Sequence, residues 1–167
     1  FEEGKWRLDD PVSKHLPELA NLQVMASTDA EGRPVLAPLK RRPTMRDLMT
    51  HTAGFGYGLG GNDPVNRAYR EQGVLASRGL KELVDKVAGI PLLRQPGEAW
   101  IYSIAVDLQG AVVERLSGQT LDVFMAERIF KPLKMVDTGF QVPAEKLGRL
   151  SALYAPNPQT GALTLAQ

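Results

Sequence analysis

The 167 residues are 43% hydrophobic and 23% charged, with a formal net charge of +1. That balance suits a globular, soluble domain with a real core, and it excludes a strong field steering the chain to nucleic acid or anionic lipid. The absence of cysteine excludes disulfides and thiolate metal sites but leaves the compartment open, cytoplasmic or periplasmic; no apolar run approaches the ~18 residues of a membrane helix.

The chain opens on Phe1-Glu2-Glu3-Gly4, which reads as the end of a helix with Gly4 in the left-handed position after it. Residues 5–22 read as an irregular connector with Val12, Leu16 and Leu19 on its buried side. Residues 23–38 predict a small hairpin, Gln23 to Ala26 and Val35-Leu36, turning through Asp29 to Gly32. Thr44 and Asp47 are spaced as a capping box and start a short helix through Thr50. Gly54 to Gly61 is a loop by composition. Asp63-Pro64 is an N-cap followed by proline at the first helical position, which predicts a helix over 64–71.

Residues 79–88 place Leu80, Leu83, Val84 and Val87 on one helical face, closed by Gly89 and Pro91. Ser103 is placed to cap a longer helix over 104–117, ended by Gly118. Thr120 caps another over 121–130, with Leu121, Phe124, Met125 and Ile129 inward and Pro132 as its stop. Leu150 to Tyr154 and Ala162 to Leu165 read as strands joined by a Pro-Asn-Gly turn. The terminal run, Leu163 to Gln167, ends inside its strand, and both ends read as cut. The whole reads as one helix-rich α+β unit over 1–167.

One tyrosine stands out for chemistry. Gln95-Pro96-Gly97-Glu98-Ala99-Trp100 is a tight turn and short run that delivers Tyr102-Ser103-Ile104 to the mouth of a helix. A free phenol titrates near 10, so a tyrosine base at neutral pH needs an ammonium group close by. No lysine lies beside Tyr102, so such a cation arrives through the fold. The plainer reading is a ring packed at a helix start.

Several segments resemble, in order, the serine hydrolase family that contains class C β-lactamases, penicillin-recognising peptidases and related esterases. Leu8-Asp9-Asp10-Pro11-Val12 is similar to the stretch after the nucleophile helix. Arg46 to Gly54, with His51-Thr52-Ala53-Gly54, resembles the Leu-Leu-x-His-Thr-Ser-Gly element. Pro96-Gly97 through Tyr102-Ser103 resembles the second catalytic motif. Ser117-Gly118-Gln119 and Pro132 to Phe140 resemble later signatures. The resemblance implies the central, mostly helical part of a β-lactamase/transpeptidase-like fold. It also implies a Ser-x-x-Lys nucleophile upstream of Phe1, since none occurs within the chain, and a third motif beyond Gln167. Tyr102 is then the general base of an acyl-enzyme mechanism.

The family's β-lactamases and peptidases carry Tyr-x-Asn, where this chain has Ile104. An apolar residue lacks the amide that would bond a substrate amide, which favours esters. The expected partner is therefore a small-molecule ester, with no cofactor, metal or nucleic acid. The alternatives are a β-lactamase or D-Ala-D-Ala peptidase, and a non-catalytic homologue that binds or packs.

Other side chains each carry two readings. Phe55 and Tyr57 border the acyl pocket or belong to a mobile loop. Ser103 faces the site or caps the helix. His51 ties a helix end to a loop rather than acting in catalysis, and Trp100 is expected in the core rather than in a pocket wall. The glycine loop lacks the Gly-Lys-Ser/Thr of a phosphate site. His15 and His51 form no zinc-spaced pair. No serine sits in Gly-x-Ser-x-Gly.

Overall fold

The computed structural model describes residues 1–166; Gln167, the last residue of the expected terminal run, lies outside them. Contacts divide the chain into two compact units, residues 1–124 and residues from 125 onward. The sequence reads as one unit, but every fully buried apolar residue of the core belongs to the first. In the second, Leu133, Val136, Leu150, Leu153 and Leu163 are exposed, and among its described residues nothing builds a comparable core.

In the first unit, Val12, Leu16 and Leu19 are buried in two short 3-10 turns, Val12–Lys14 and Pro17–Asn21. Strands β1 (Gln23–Thr28) and β2 (Pro34–Pro38) form the expected hairpin. Gln23 faces Pro38 and Thr28 faces Pro34, with a bulge between Met25 and Ser27. Its turn is held by Asp29, whose Oδ1 accepts from the Glu31 and Arg33 amides at 3.1 and 2.8 Å.

Four helices follow: α1 (Met45–Met49), α2 (Pro64–Glu71), α3 (Leu80–Ala88) and α4 (Ala105–Ser117). The Thr44/Asp47 capping box and the Asp63 cap form as read from sequence. Helix α3 buries Leu83, Val84 and Val87, and α4 buries Ala105, Leu108, Ala111 and Val112, a three-four spacing on one face. Helix α4 packs on both α1 and α3. Gly118 ends it in the left-handed conformation at φ 72°.

Helix α4 departs from expectation at its start. Its N-cap residue is Ile104, without a side-chain cap, and Ser103 lies one residue too early to serve. Helix α5 (Leu121–Met125) runs into a π-helical turn, Ala126–Phe130, and Ile129 is exposed rather than inward. In the second unit, strands β3 (Tyr154–Pro156) and β4 (Leu163–Leu165) pair antiparallel, Tyr154 opposite Leu165. The first of these begins later than Leu150: the ladder starts at the Tyr154–Leu165 pair, flanked by a bond from the Ala166 amide to the Leu153 carbonyl at 2.8 Å.

Asp47 does more than cap α1. Its carboxylate accepts from Arg41 Nη1 and Nη2 at 2.5 and 2.8 Å, from the Thr44 amide and hydroxyl at 2.8 Å each, and from Thr52 Oγ1 at 3.3 Å. Burial alone would raise this carboxyl; the Arg41 bonds and the Thr44 donors outweigh it and hold it at about 2, down from 3.8. A depressed carboxyl contributes stability above its unfolded pKa and loses it as pH falls through the folded one. Asp47→Asn should therefore cost about 2 kcal/mol at neutral pH, a value kept modest because Arg41 is half exposed. Urea midpoints of parent and variant should converge between pH 4 and pH 2; a gap that stays constant over that range would show the charge to be irrelevant.

Candidate active site

Tyr102 lies on a non-helical segment between the Pro96-Gly97 turn and α4. That segment is stitched to the loop after α1. The carbonyls of Gly54, Thr52, His51 and Gly56 accept from the amides of Leu93, Gly97, Ile101 and Ile104 at 2.7, 2.8, 2.9 and 3.0 Å. The stitching explains Gly54, and the packing of the loop on α2 explains Gly56. A Cβ on Gly54 would sit 2.1 Å from the Arg94 carbonyl oxygen, and one on Gly56 would sit 3.1 Å from the Tyr69 ring.

His51 adds its side chain to this seam. Its Nδ1 accepts the Ser103 amide at 3.3 Å and lies 3.1 Å from Ser103 Oγ. With Nδ1 accepting, the ring proton of the neutral imidazole is assigned to Nε2. The imidazole lies against the Tyr102 ring with centroids 5.0 Å apart. Tyr57 stands edge-on to Tyr102 at 5.5 Å, and Trp100 lies 6.4 Å away. Tyr102 is 57% exposed and Trp100 66%. The result is a surface shelf of aromatic rings around one phenol.

The expected side chains are distributed unevenly over this shelf. Tyr102 and Tyr57 come together on it. Phe55 and Ile104 do not; both are buried, and their side chains fill the core beneath the shelf instead of lining it. Close approach of the Arg94 and Tyr69 atoms to the flanking glycines holds the Phe55 backbone in the interior. Ser103 is buried too, and its hydroxyl meets His51 instead of capping α4. Trp100 is on the surface, not in the core. Side chains alternate along this segment, so Trp100 and Tyr102 share the outer side while Ser103 points in.

The glycine loop is anchored where it carries Tyr57. Asn66 Oδ1 of α2 accepts from the Tyr57 and Gly58 amides at 3.1 and 3.0 Å, and Asp63 in turn holds Asn66. Asn66 escapes a sequence reading because its only local signal is an ordinary position in the first turn of a helix. The reach of His51 to Ser103 escapes it as well, since 52 residues separate them.

Electrostatics bear on Tyr57. Burial first, then the charge of Asp107 and the neighbouring Tyr102, push the Tyr57 phenol up. Tyr57 is thus a neutral donor near pH 7 and is unsuited to base work. Burial likewise pushes the Asp107 carboxyl up. Among the described residues no cluster of three or more His, Asp or Glu is placed to hold a metal, and no helix is long and apolar enough to cross a membrane.

The chain is similar to several known proteins. Protein Rv1367c of Mycobacterium tuberculosis is 36% identical over 160 residues, 95% of this chain and 39% of that protein. A lovastatin esterase of Penicillium rubens is 36% identical over 139 residues, 83% of this chain and 34% of that enzyme. The structure of simvastatin synthase (LovD) from Aspergillus terreus superimposes with a TM-score of 0.79 at 30% identity, covering 99% of this chain and 41% of that one. The chain thus spans a third to two fifths of the length of these relatives. It has the β-lactamase/transpeptidase-like fold over that span, helix-rich with short hairpins. The family model described as Beta-lactamase matches residues 1–166, and the chain belongs to that family.

Proposed function

We propose that this chain is the helix-rich part of a serine esterase or acyltransferase in which Tyr102 is the general base. The observation that carries the reading is the exposed Tyr102 phenol, standing on a hydrogen-bonded seam within a shelf of aromatic rings. The nucleophilic serine and its lysine come from a Ser-x-x-Lys segment outside these 167 residues. Tyr102, acting together with that lysine, takes the proton from the serine hydroxyl as its oxygen adds to the ester carbonyl. The tetrahedral intermediate then expels the alkoxide, which receives the proton from the Tyr102 phenol. The same tyrosine deprotonates the water or alcohol that resolves the acyl-enzyme.

The preference for esters rests on the surroundings of Tyr102. Ile104 offers no amide and is buried, so the neighbouring surface consists of Tyr57, Trp100 and His51. Flat, weakly polar rings suit an acyl chain better than a substrate amide that demands a partner. The names of the similar lovastatin esterase and simvastatin synthase support the same class.

The test is turnover by the full-length protein. p-Nitrophenyl butyrate should be hydrolysed at least about tenfold faster than nitrocefin, the discrimination one missing polar partner supports. Fluorophosphonate should label a serine outside the 167 residues. Steady nitrocefin turnover above ester turnover, or labelling at Ser103, would reverse the reading.

A further inference from the structure

We infer that His51 is the positioning residue for Tyr102, holding the phenol on its line to the reacting atoms through the seam around residues 101–103. The inference rests on the general-base reading of Tyr102. It stands on four contacts of one residue. The His51 carbonyl accepts the Ile101 amide at 2.9 Å, and its Nδ1 accepts the Ser103 amide at 3.3 Å. The same nitrogen meets Ser103 Oγ at 3.1 Å. The ring lies tilted against the Tyr102 ring, with centroids 5.0 Å apart. Both neighbours of Tyr102 and its own side chain are therefore held by a single histidine.

The backbone of His51 fits the same role. It adopts φ 56°, a left-handed conformation that costs a non-glycine residue about 1–2 kcal/mol. Such a cost persists where surrounding structure over-determines the residue, and it gathers at sites where geometry matters. Here the strain aims the carbonyl at Ile101 and the ring at Ser103 simultaneously. A structural tie between a helix end and a loop would need the carbonyl alone. The second attachment, through Nδ1, brackets the residue whose placement the chemistry requires.

His51 touches no substrate atom in this scheme and acts through Tyr102. A displacement of a base by about 1 Å can cost on the order of 10² in rate. His51→Ala in the full-length protein should lower kcat for p-nitrophenyl butyrate about 10- to 100-fold with KM nearly unchanged. His51→Asn keeps an acceptor and tolerates positive φ, so it should recover most of the rate. His51→Phe keeps a ring but no acceptor and should not. In a Tyr102→Phe background, His51→Ala should add less than about threefold, because the two act as one unit.

The outcomes separate cleanly. A folded His51→Ala protein with parental kcat overturns the positioning role while leaving Tyr102 as base if Tyr102→Phe is inactive. Parental kcat in Tyr102→Phe overturns both. Full multiplicative losses in the double variant overturn the coupling, and hence the inference. If His51→Ala fails to fold, the Asn and Phe variants decide: recovery by Asn alone supports the role, and equal rates overturn it.

Discussion

Tyr102→Phe in the full-length protein should lower kcat for p-nitrophenyl butyrate by about 10²–10⁴. The substitution removes one oxygen and keeps the ring. Tyr102 is 57% exposed, and its ring contacts with His51, Tyr57 and Trp100 do not involve the phenol oxygen, so the phenylalanine should stand in the same place with the same stability. KM should change little, because the phenol does its work in the proton transfers and not in holding the ester. A steady-state comparison alongside a melting curve checks both points. Activity within threefold of the parent, in a protein that melts normally, would remove Tyr102 from the mechanism. The same substitution at Tyr57 makes the contrast sharper. Burial and the Asp107 charge keep that phenol protonated, so its loss should be felt through binding and packing and far less through kcat.

Gly54→Ala should be the most damaging single methyl in the chain. The added Cβ would lie 2.1 Å from the Arg94 carbonyl oxygen and 3.1 Å from its carbon, on a residue at φ +89°. Backbone atoms offer no rotamer to escape into, so the two segments must part. The loss should be at least about 3 kcal/mol, combining left-handed strain with overpacking. Parting them also breaks the bond from the Leu93 amide to the Gly54 carbonyl, 2.7 Å long, the start of the seam that ends at Tyr102. Activity should therefore fall even where folded protein survives. Gly118→Ala is the control: it has φ +72° but nothing within 4 Å of the new methyl, and should cost only about 1 kcal/mol of strain. Chemical denaturation of both variants decides; equal losses would mean that the close approach at Gly54 relaxes freely.

Short-range chemistry made most of the fold legible. The Thr44/Asp47 box, the Asp63 cap and the Gly118 stop each depend on groups three or four residues apart. Their hydrogen bonds form within one turn whatever the rest of the chain does. The apolar faces of α3 and α4 were readable for the same reason, since a helical period assigns a face before a partner is known. Ile129 shows the limit of that logic. It keeps the right spacing, but the chain passes into a π-helical turn at Ala126 and the face rotates away.

The candidate site was legible in one residue and illegible in its surroundings. Tyr102 could be singled out from its motif. Its setting depends on a loop about fifty residues earlier, and no local pattern encodes that meeting. Ser103 shows the difference: as sequence it is a helix cap, and as structure it bonds to His51. Ile104 and Phe55 read as pocket lining and became core, and Trp100 read as core and became surface.

By itself, the sequence determined helices α1 to α4, the Thr44 and Asp63 caps, the hairpin at 23–38 and the family motif around Tyr102, because these are written in near neighbours and in alternation. Only the tertiary structure decided which side chains surround the phenol. That choice follows from the seam between residues 51–56 and 93–104, where Gly54 permits backbone contact and His51 spans the gap. Contacts between segments so far apart are settled by the packing of the whole unit, and the side of the chain that faces outward is settled with them.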